Sequence, residues 1–224
     1  MTDQHSRIAV DDQLEAPALR TDAQQNRDRI LEVARVLFAQ RGLDVPMAAI
    51  ARRAGVGVAT LYRRFPTKED LVTATFAERF EHCLIMFGEA KVDPDPWRAF
   101  CTVIEEVCAM QAGDRGFRAV LSATLAGTDY LDQARSHFVE SFEVLVRRAK
   151  EAGRLRKDFA VEDLSLILQA NGGIAAGTTD AGVAASRRLV AYLIDAFRAD
   201  RSETPARLPP PVRLDLIEAV LNGS

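Results

Sequence analysis

Residues 55–65, GVGVATLYRRF, and the residues on either side of them constrain the fold of this chain more tightly than any other stretch. Pro46 suits the first turn of a helix, because its missing N–H has no intrahelical partner there in any case, and Gly55 suits the end of one, because glycine enters the left-handed region without a Cβ clash. The segment between them buries Ile50 and Ala54. A second short helix is predicted from about Val58 to Arg64, and Pro66 ends it. Upstream, Ile30, Val33, Ala34, Leu37 and Phe38 recur at helical spacing over Gln24 to Gln40, with Asp22 as a cap and Gly42 after the end. Short helix, glycine turn and short helix on a longer helix make a helix-turn-helix, whose second short helix enters the DNA major groove.

The glycine pair could also belong to a phosphate-binding loop, but the surroundings exclude it. A dinucleotide loop needs a preceding strand and a third glycine where this chain has Thr60, and a P-loop needs a terminal Gly-Lys-Ser/Thr that is absent.

The net charge of −3 argues against nucleic acid only until the charge is divided along the chain. Residues 1–20 carry two basic and four acidic groups, 21–71 nine and six, and 72–224 eighteen and twenty-two. Within 52–68, Arg52, Arg53, Arg63, Arg64 and Lys68 meet no Asp or Glu. One basic module is joined to a mildly acidic body.

That body is predicted to be helical throughout, so the fold class is all-α. Thr67-Lys68-Glu69-Asp70 resembles a capping arrangement for a long fourth helix to about Phe87. Leu71, Phe76 and Phe80 are expected to seat this helix on the head, and Leu84 and Phe87 on the body, making it a lever between them. Amphipathic segments follow at about 95–111, 115–126, 131–151, 161–176 and 184–200. SETPARLPPP reads as an extended linker, after which Leu214, Leu216, Ile217, Val220 and Leu221 form a short docking helix or fray. The expected organisation is an N-terminal arm over 1–20, a helix-turn-helix domain over 21–70, a larger helical body over 71–202 and a Pro-rich tail over 203–224. MTDQHSRIAVDDQLEAP has no apolar core of a signal peptide, no run approaches the about 18 apolar residues of a membrane span, and Cys83, Cys101 and Cys108 match no zinc spacing or disulfide framework. The expected compartment is the cytoplasm, with no membrane partner, no resident metal and no cofactor.

IARRAGVGVATLYRRFPTKEDL, residues 50–71, resembles the DNA-binding signature of the TetR family of transcriptional regulators, and ILEVARVLFAQRGLDVPM resembles that family's approach to it. The motif similarity covers about residues 24–72. It implies a homodimer with N-terminal reading heads on double-stranded operator DNA, a larger ligand-binding and dimerisation domain, and repression relieved by a small apolar or amphipathic molecule.

Within the motif, Ile50, Val56, Leu61 and Phe65 are read as the small core that fixes the angle between the short helices. Thr60, Tyr62, Arg63, Arg64 and Lys68 fall on the exposed face, where hydroxyls and cations reach phosphate oxygens. Pro46 and Gly57 depart from the family pattern, which commonly has hydroxyl-bearing residues there, and leave Gly57 with only a backbone N–H to offer. Val58 and Ala59 would face the groove floor and can touch thymine methyls, which leaves Arg63 or Arg52 as the source of guanine contacts.

If the resemblance holds, the body supplies a pocket. Trp97, Phe100, Cys101, Phe117, Leu121, Leu125 and Phe138 are candidate apolar lining, with Thr124, His137 and Asn171 as its polar groups. Core packing is the competing reading for each. Cys101 and Cys108, seven apart on one helix face, would with His137 allow a metal or redox sensor, against the commoner reading of free cysteines as small buried hydrophobes. LSLILQANGGIAAG has small residues that admit close helix approach. Leu164 and Leu168, with Leu189, Tyr192, Leu193 and Phe197, are the candidate dimer interface. The competing classes are a helical-bundle enzyme, for which the sequence has no Glu-x-x-His pair or nucleophile motif, and a protein-interaction module, in which the basic cluster would be indifferent to DNA.

Overall fold

In a computed structural model, the structure describes residues 15–122, 129–175 and 180–199. Among them the chain forms nine helices and no strand, and one isolated bridge pairs Leu155 with Arg198. None of the described helices is long and apolar enough to cross a membrane.

Helix α1 runs Glu15–Arg41, nine residues earlier than the periodicity indicates, and takes in six residues assigned to the arm. Pro17 falls within its first turn, where a missing N–H removes nothing from the helical ladder, so the helix starts before Asp22. Residues 1–14 of the expected arm, and the tail 203–224, lie outside the described residues. Two short helices follow, α2 (Met47–Ala54) and α3 (Val58–Arg64). Helix α4 (Lys68–Val92) starts at a reciprocal capping box: Asp70 N donates to Thr67 Oγ1 at 3.0 Å and Thr67 N donates to Asp70 Oδ2 at 3.0 Å.

The body consists of α5 (Pro96–Gly113), α6 (Arg115–Ser122), α7 (Asp129–Glu151), α8 (Asp163–Ile174) and α9 (Asp180–Phe197). Asp95 Oδ1 caps α5 by accepting from Trp97 N and Arg98 N, and Asp114 Oδ1 caps α6 by accepting from Phe117 N. Two arginines hold helix C-termini from neighbouring elements. Arg148 of α7 donates to Ala90 O, Lys91 O and Asp93 O at the end of α4, and Arg118 of α6 donates to Ala175 O at the end of α8.

One core runs through head and body. Leu71, Phe76 and Phe80 of α4 are all buried, but of the three only Phe76 has a ring contact with the described residues of the head, on Phe38, whereas Phe80 meets Phe117 of the body and Phe87 stacks on Phe138. Leu84 is not buried: it is 37% exposed, because α4 turns Cys83, Met86 and Phe87 inward and leaves Leu84 and Ile85 outside. The join is aromatic. Phe38 of α1 lies 6.3 Å from Phe76, Phe76 lies 6.2 Å from Phe117 of α6, and Phe80 meets Phe117 edge-on at 5.9 Å.

Candidate nucleic-acid interface

The turn between α2 and α3 is set by one glycine. Gly55 has φ 68°, Gly55 N donates to Arg52 O and Val56 N donates to Ala51 O, the pair of bonds that closes a helix through a left-handed residue. Gly57 is different. It has φ −64°, and a Cβ there would meet only Thr60 Oγ1 at an ordinary 3.7 Å, so the backbone does not require glycine. Neither Pro46 nor Gly57 supplies a side-chain cap to its helix.

Beneath the turn, Ile50 and Leu61 are fully buried and Phe65 nearly so, with Val56 packed against them. This locks α3 against α2 and α1 and turns the rest of α3 outward. Val58 is 44% and Tyr62 47% exposed, and Arg52, Arg53, Gly57, Ala59, Arg63 and Arg64 are exposed as well. Thr60 and Lys68 are half-buried. None of the five cations of 52–68 is in an ion pair with a described carboxylate. The residues of the predicted DNA-contact set therefore all keep some exposure, on α2, the turn after it, α3 and the start of α4.

The predicted ligand set is scattered instead. Trp97 stacks on Phe100 at 5.6 Å, and Phe100 packs on Phe142 and Phe159. Phe138 stacks on Phe87 at 5.6 Å, whereas Phe117 belongs to the aromatic join between head and body. Leu121 is half-buried, and Thr124 and Leu125 lie outside the described residues. His137 is exposed on α7, not set on an apolar face, because the helical period turns Phe138, Ser141 and Phe142 inward and His137 with Glu140 outward.

Asn171 is fully buried and bound on all sides, donating to Cys108 O and Gln111 Oε1 and accepting from Ser186 Oγ at 2.6 Å. It fastens α8 to α5 and α9. Burial pushes the thiols of Cys101 and Cys108 up from the ordinary 9.0 to about 12, which keeps them protonated and poor as ligands or redox centres. No group of three metal-ligating side chains occurs among the described residues, so His137 does not complete a metal site with Cys101 and Cys108.

An open cleft of about 490 Å³ lies elsewhere, between α1, α6 and α8, and none of the predicted ligand residues lines it. The sequence reading missed it because its walls come from three segments far apart in the chain, with Phe38 as the one aromatic in the lining beside glycines and arginines.

The dimer candidates fall in different settings within the protomer. Leu168 is buried and lines this cleft, and Leu164, Leu193 and Phe197 pack into the protomer's own core, Phe197 edge-on to Phe159 at 5.0 Å. Leu189 is half-buried. Only Tyr192 of the set is on the surface, 58% exposed, with the Arg188 guanidinium 5.0 Å from its ring centre. The outward stripe is a different one: Leu166, Ala170 and Ile174 on α8, beside Ala184, Arg188 and Tyr192 on α9.

Comparison with known proteins agrees with this geometry. Residues 30–75 match the model of bacterial regulatory proteins of the tetR family, and residues 95–199 match the C-terminal domain of SbtR-like transcriptional regulators. An HTH-type transcriptional regulator of Staphylococcus aureus strain USA300 is 37% identical over 76 residues, 34% of this chain and 41% of that relative, so the alignment spans less than half of the relative's length. A TetR transcriptional regulator of Streptomyces coelicolor is 27% identical, with a TM-score of 0.50, covering 78% of this chain and 99% of that one. SmeT, the repressor of the Stenotrophomonas maltophilia multidrug efflux pump SmeDEF, shares the fold at 19% identity and a TM-score of 0.58, covering 85% of this chain and 99% of that one. With its reading head and its helical body each matched by a model of such regulators, the chain belongs to the TetR family of bacterial regulatory proteins.

Proposed function

We propose that this protein is a homodimeric repressor that leaves its operator when a small molecule binds the body. The observation that carries the DNA part is the set of cations on and beside α3: Arg52, Arg53, Arg63, Arg64 and Lys68 keep exposure and have no ion pair with a described carboxylate, next to a helix pair packed on buried Ile50 and Leu61. Cations with no internal partner are available to phosphates, and release of the DNA counterions drives such contacts. In this reading Val58 and Ala59 face the groove floor, Gly57 N and Thr60 and Tyr62 side chains meet phosphates, and Arg63 or Arg52 reads guanine. The protein works in the cytoplasm, where the DNA is.

Two heads must be held at a set distance to read successive major grooves, about 34–36 Å apart. The outward stripe of Leu166, Ala170, Ile174, Ala184 and Tyr192 supports a two-fold seam of four helices, since small residues let helix axes approach and the apolar ones lose exposed surface. An effector that favours one pocket shape shifts the population toward a head spacing that no longer fits. SmeT, of the same fold, forms a complex with triclosan, a precedent for a small amphipathic effector.

Selection of bound fragments from the source genome, followed by footprinting, tests this reading. The expected result is a pseudo-palindromic site with two protected patches about one helical turn apart or a multiple of it. Recovery of no enriched sequence, or of a single unpaired patch, would count against it.

A further inference from the structure

Helix α4 is shared by head and body, and its two ends are held in different ways. Toward the head it is packed by rings: Phe76 lies between Phe38 and Phe117, and Phe80 meets Phe117 edge-on. Apolar packing is non-directional, so it fixes a separation better than an angle. The body end is held by directional bonds. Arg148 Nη1 donates to Lys91 O at 2.6 Å and to Ala90 O at 3.1 Å, and Arg148 Nη2 donates to Asp93 O at 2.6 Å. Hydrogen bonds weaken steeply as they bend, so three from one rigid, planar guanidinium hold the end of α4 in direction as well as in place.

The guanidinium is given over to this task. Arg148 is half-buried and in no ion pair with a described carboxylate, and the side chain of Asp93, whose carbonyl it holds, is occupied by Arg98 Nη2 at 2.6 Å and Arg98 Nε at 3.2 Å. Its base is firm as well, because Leu145, Val146 and Ala149, on the turns of α7 around it, are buried. The length of α4 then magnifies what happens at this end. From Lys68 to Val92 the helix spans about 36 Å at a rise of about 1.5 Å per residue. A tilt of about 5° at the clamped end moves the other end, which follows α3, by about 3 Å, close to the rise of one base pair.

We propose that Arg148 is a positioning residue for operator binding: by fixing the body end of α4 it sets the direction in which each reading head is presented, and with it the half-site spacing that the protein accepts. The proposal rests on the homodimeric reading above and adds the residue that makes its head spacing selective. Arg148 touches no DNA in this scheme and acts through α4 alone.

The test uses the full-length chain on the operator selected above, on the same half-sites moved together or apart by one and two base pairs, and on a single half-site. The parent is expected to lose about tenfold or more in affinity for a shift of about two base pairs, because the second head then misses its groove and the gain from linking two heads is lost. Arg148→Met keeps the length of the stem and removes the donors. It should bind the selected operator more weakly, reduce the spacing effect to about threefold or less, and bind the single half-site within about twofold of the parent. Arg98→Gln is the control, since it releases the Asp93 side chain at the same helix end and leaves the three Arg148 bonds in place; it should keep the parent's spacing preference. Arg148→Lys keeps a cation at the helix end without the planar fork, and is expected to lie between the parent and Arg148→Met. The proposal is overturned if folded Arg148→Met, or Arg148→Lys where the former does not fold, keeps the parent's full spacing preference. It is equally overturned if half-site and operator affinity fall together, or if Arg98→Gln loses the preference as fully, since general loosening would then be the cause. A parent that binds the single half-site as tightly as the operator would instead overturn the homodimeric reading.

Discussion

A single residue does most where it is buried with chemistry attached. Asn171 uses its whole amide to tie three helices, and the pattern LILQANGG could not announce that, since its partners Gln111 and Ser186 lie far off in the chain. The cysteines are the clearer test. Cys108 is 1% exposed and its thiol is pushed up to about 12 by burial, from the ordinary 9.0. Above pH 9 the unfolded chain loses this proton while the folded chain keeps it, so the unfolded state binds fewer protons and stability falls as pH rises, until the folded thiol ionises near pH 12. The slope from this group is about 1.4 kcal/mol per pH unit. Urea titrations at pH 8.5, 9.5 and 10.5 should show that Cys108→Ala has a shallower alkaline loss of stability than the parent, whatever its stability at pH 7. Parallel slopes in the two proteins would show that Cys108 is as easily ionised in the fold as outside it.

At the scale of elements, the helices of both head and body were legible, but what covers the faces of the body's helices was not. Pro46, Gly55, Pro66 and Thr67 are local signals, acting within one turn of where they stand, and they mark α2, α3 and the start of α4 where the structure has them. The start of α1 was misjudged because a cap-type residue such as Asp22 is also tolerated inside a helix once neighbours favour it. Faces of α7, α8 and α9 were harder still. Leu164, Leu168 and Leu193 are apolar at helical spacing, but periodicity says only that a face is buried and not whether its own protomer or another covers it. The contact of α6 with α4 shows how tightly the elements are fitted. A Cβ on Gly116 would stand 2.8 Å from Phe76 Cζ, and Phe76 is fully buried between Phe38 and Phe117. Gly116→Ala gains about 1 kcal/mol of helix propensity but forces an aromatic ring that has nowhere to go, and such overpacking costs about 1–3 kcal/mol. Chemical denaturation should place the variant below the parent in stability. A more stable variant would mean that α6 and α4 slide apart without cost.

The whole molecule joins a net-cationic head, carboxylate-free over residues 52–68, to a mildly acidic body through one continuous core. Net charge hides this division, whereas the count by segment reveals it. The account stands on the claim that the head surface around α3 binds DNA through its unpaired cations. Operator affinity measured against salt concentration tests that most directly, for the parent and for the double variant Arg64→Gln, Lys68→Ala, both positions lying outside the buried core of the head. Each neutralised phosphate contributes about 0.9 to the log–log slope, so the variant should lose nearly two units of slope for each half-site occupied, with a weaker affinity on operator and random DNA alike. A double variant that folds as the parent does and keeps the full slope would contradict the account, because the counterions would then be released by some other surface of the protein.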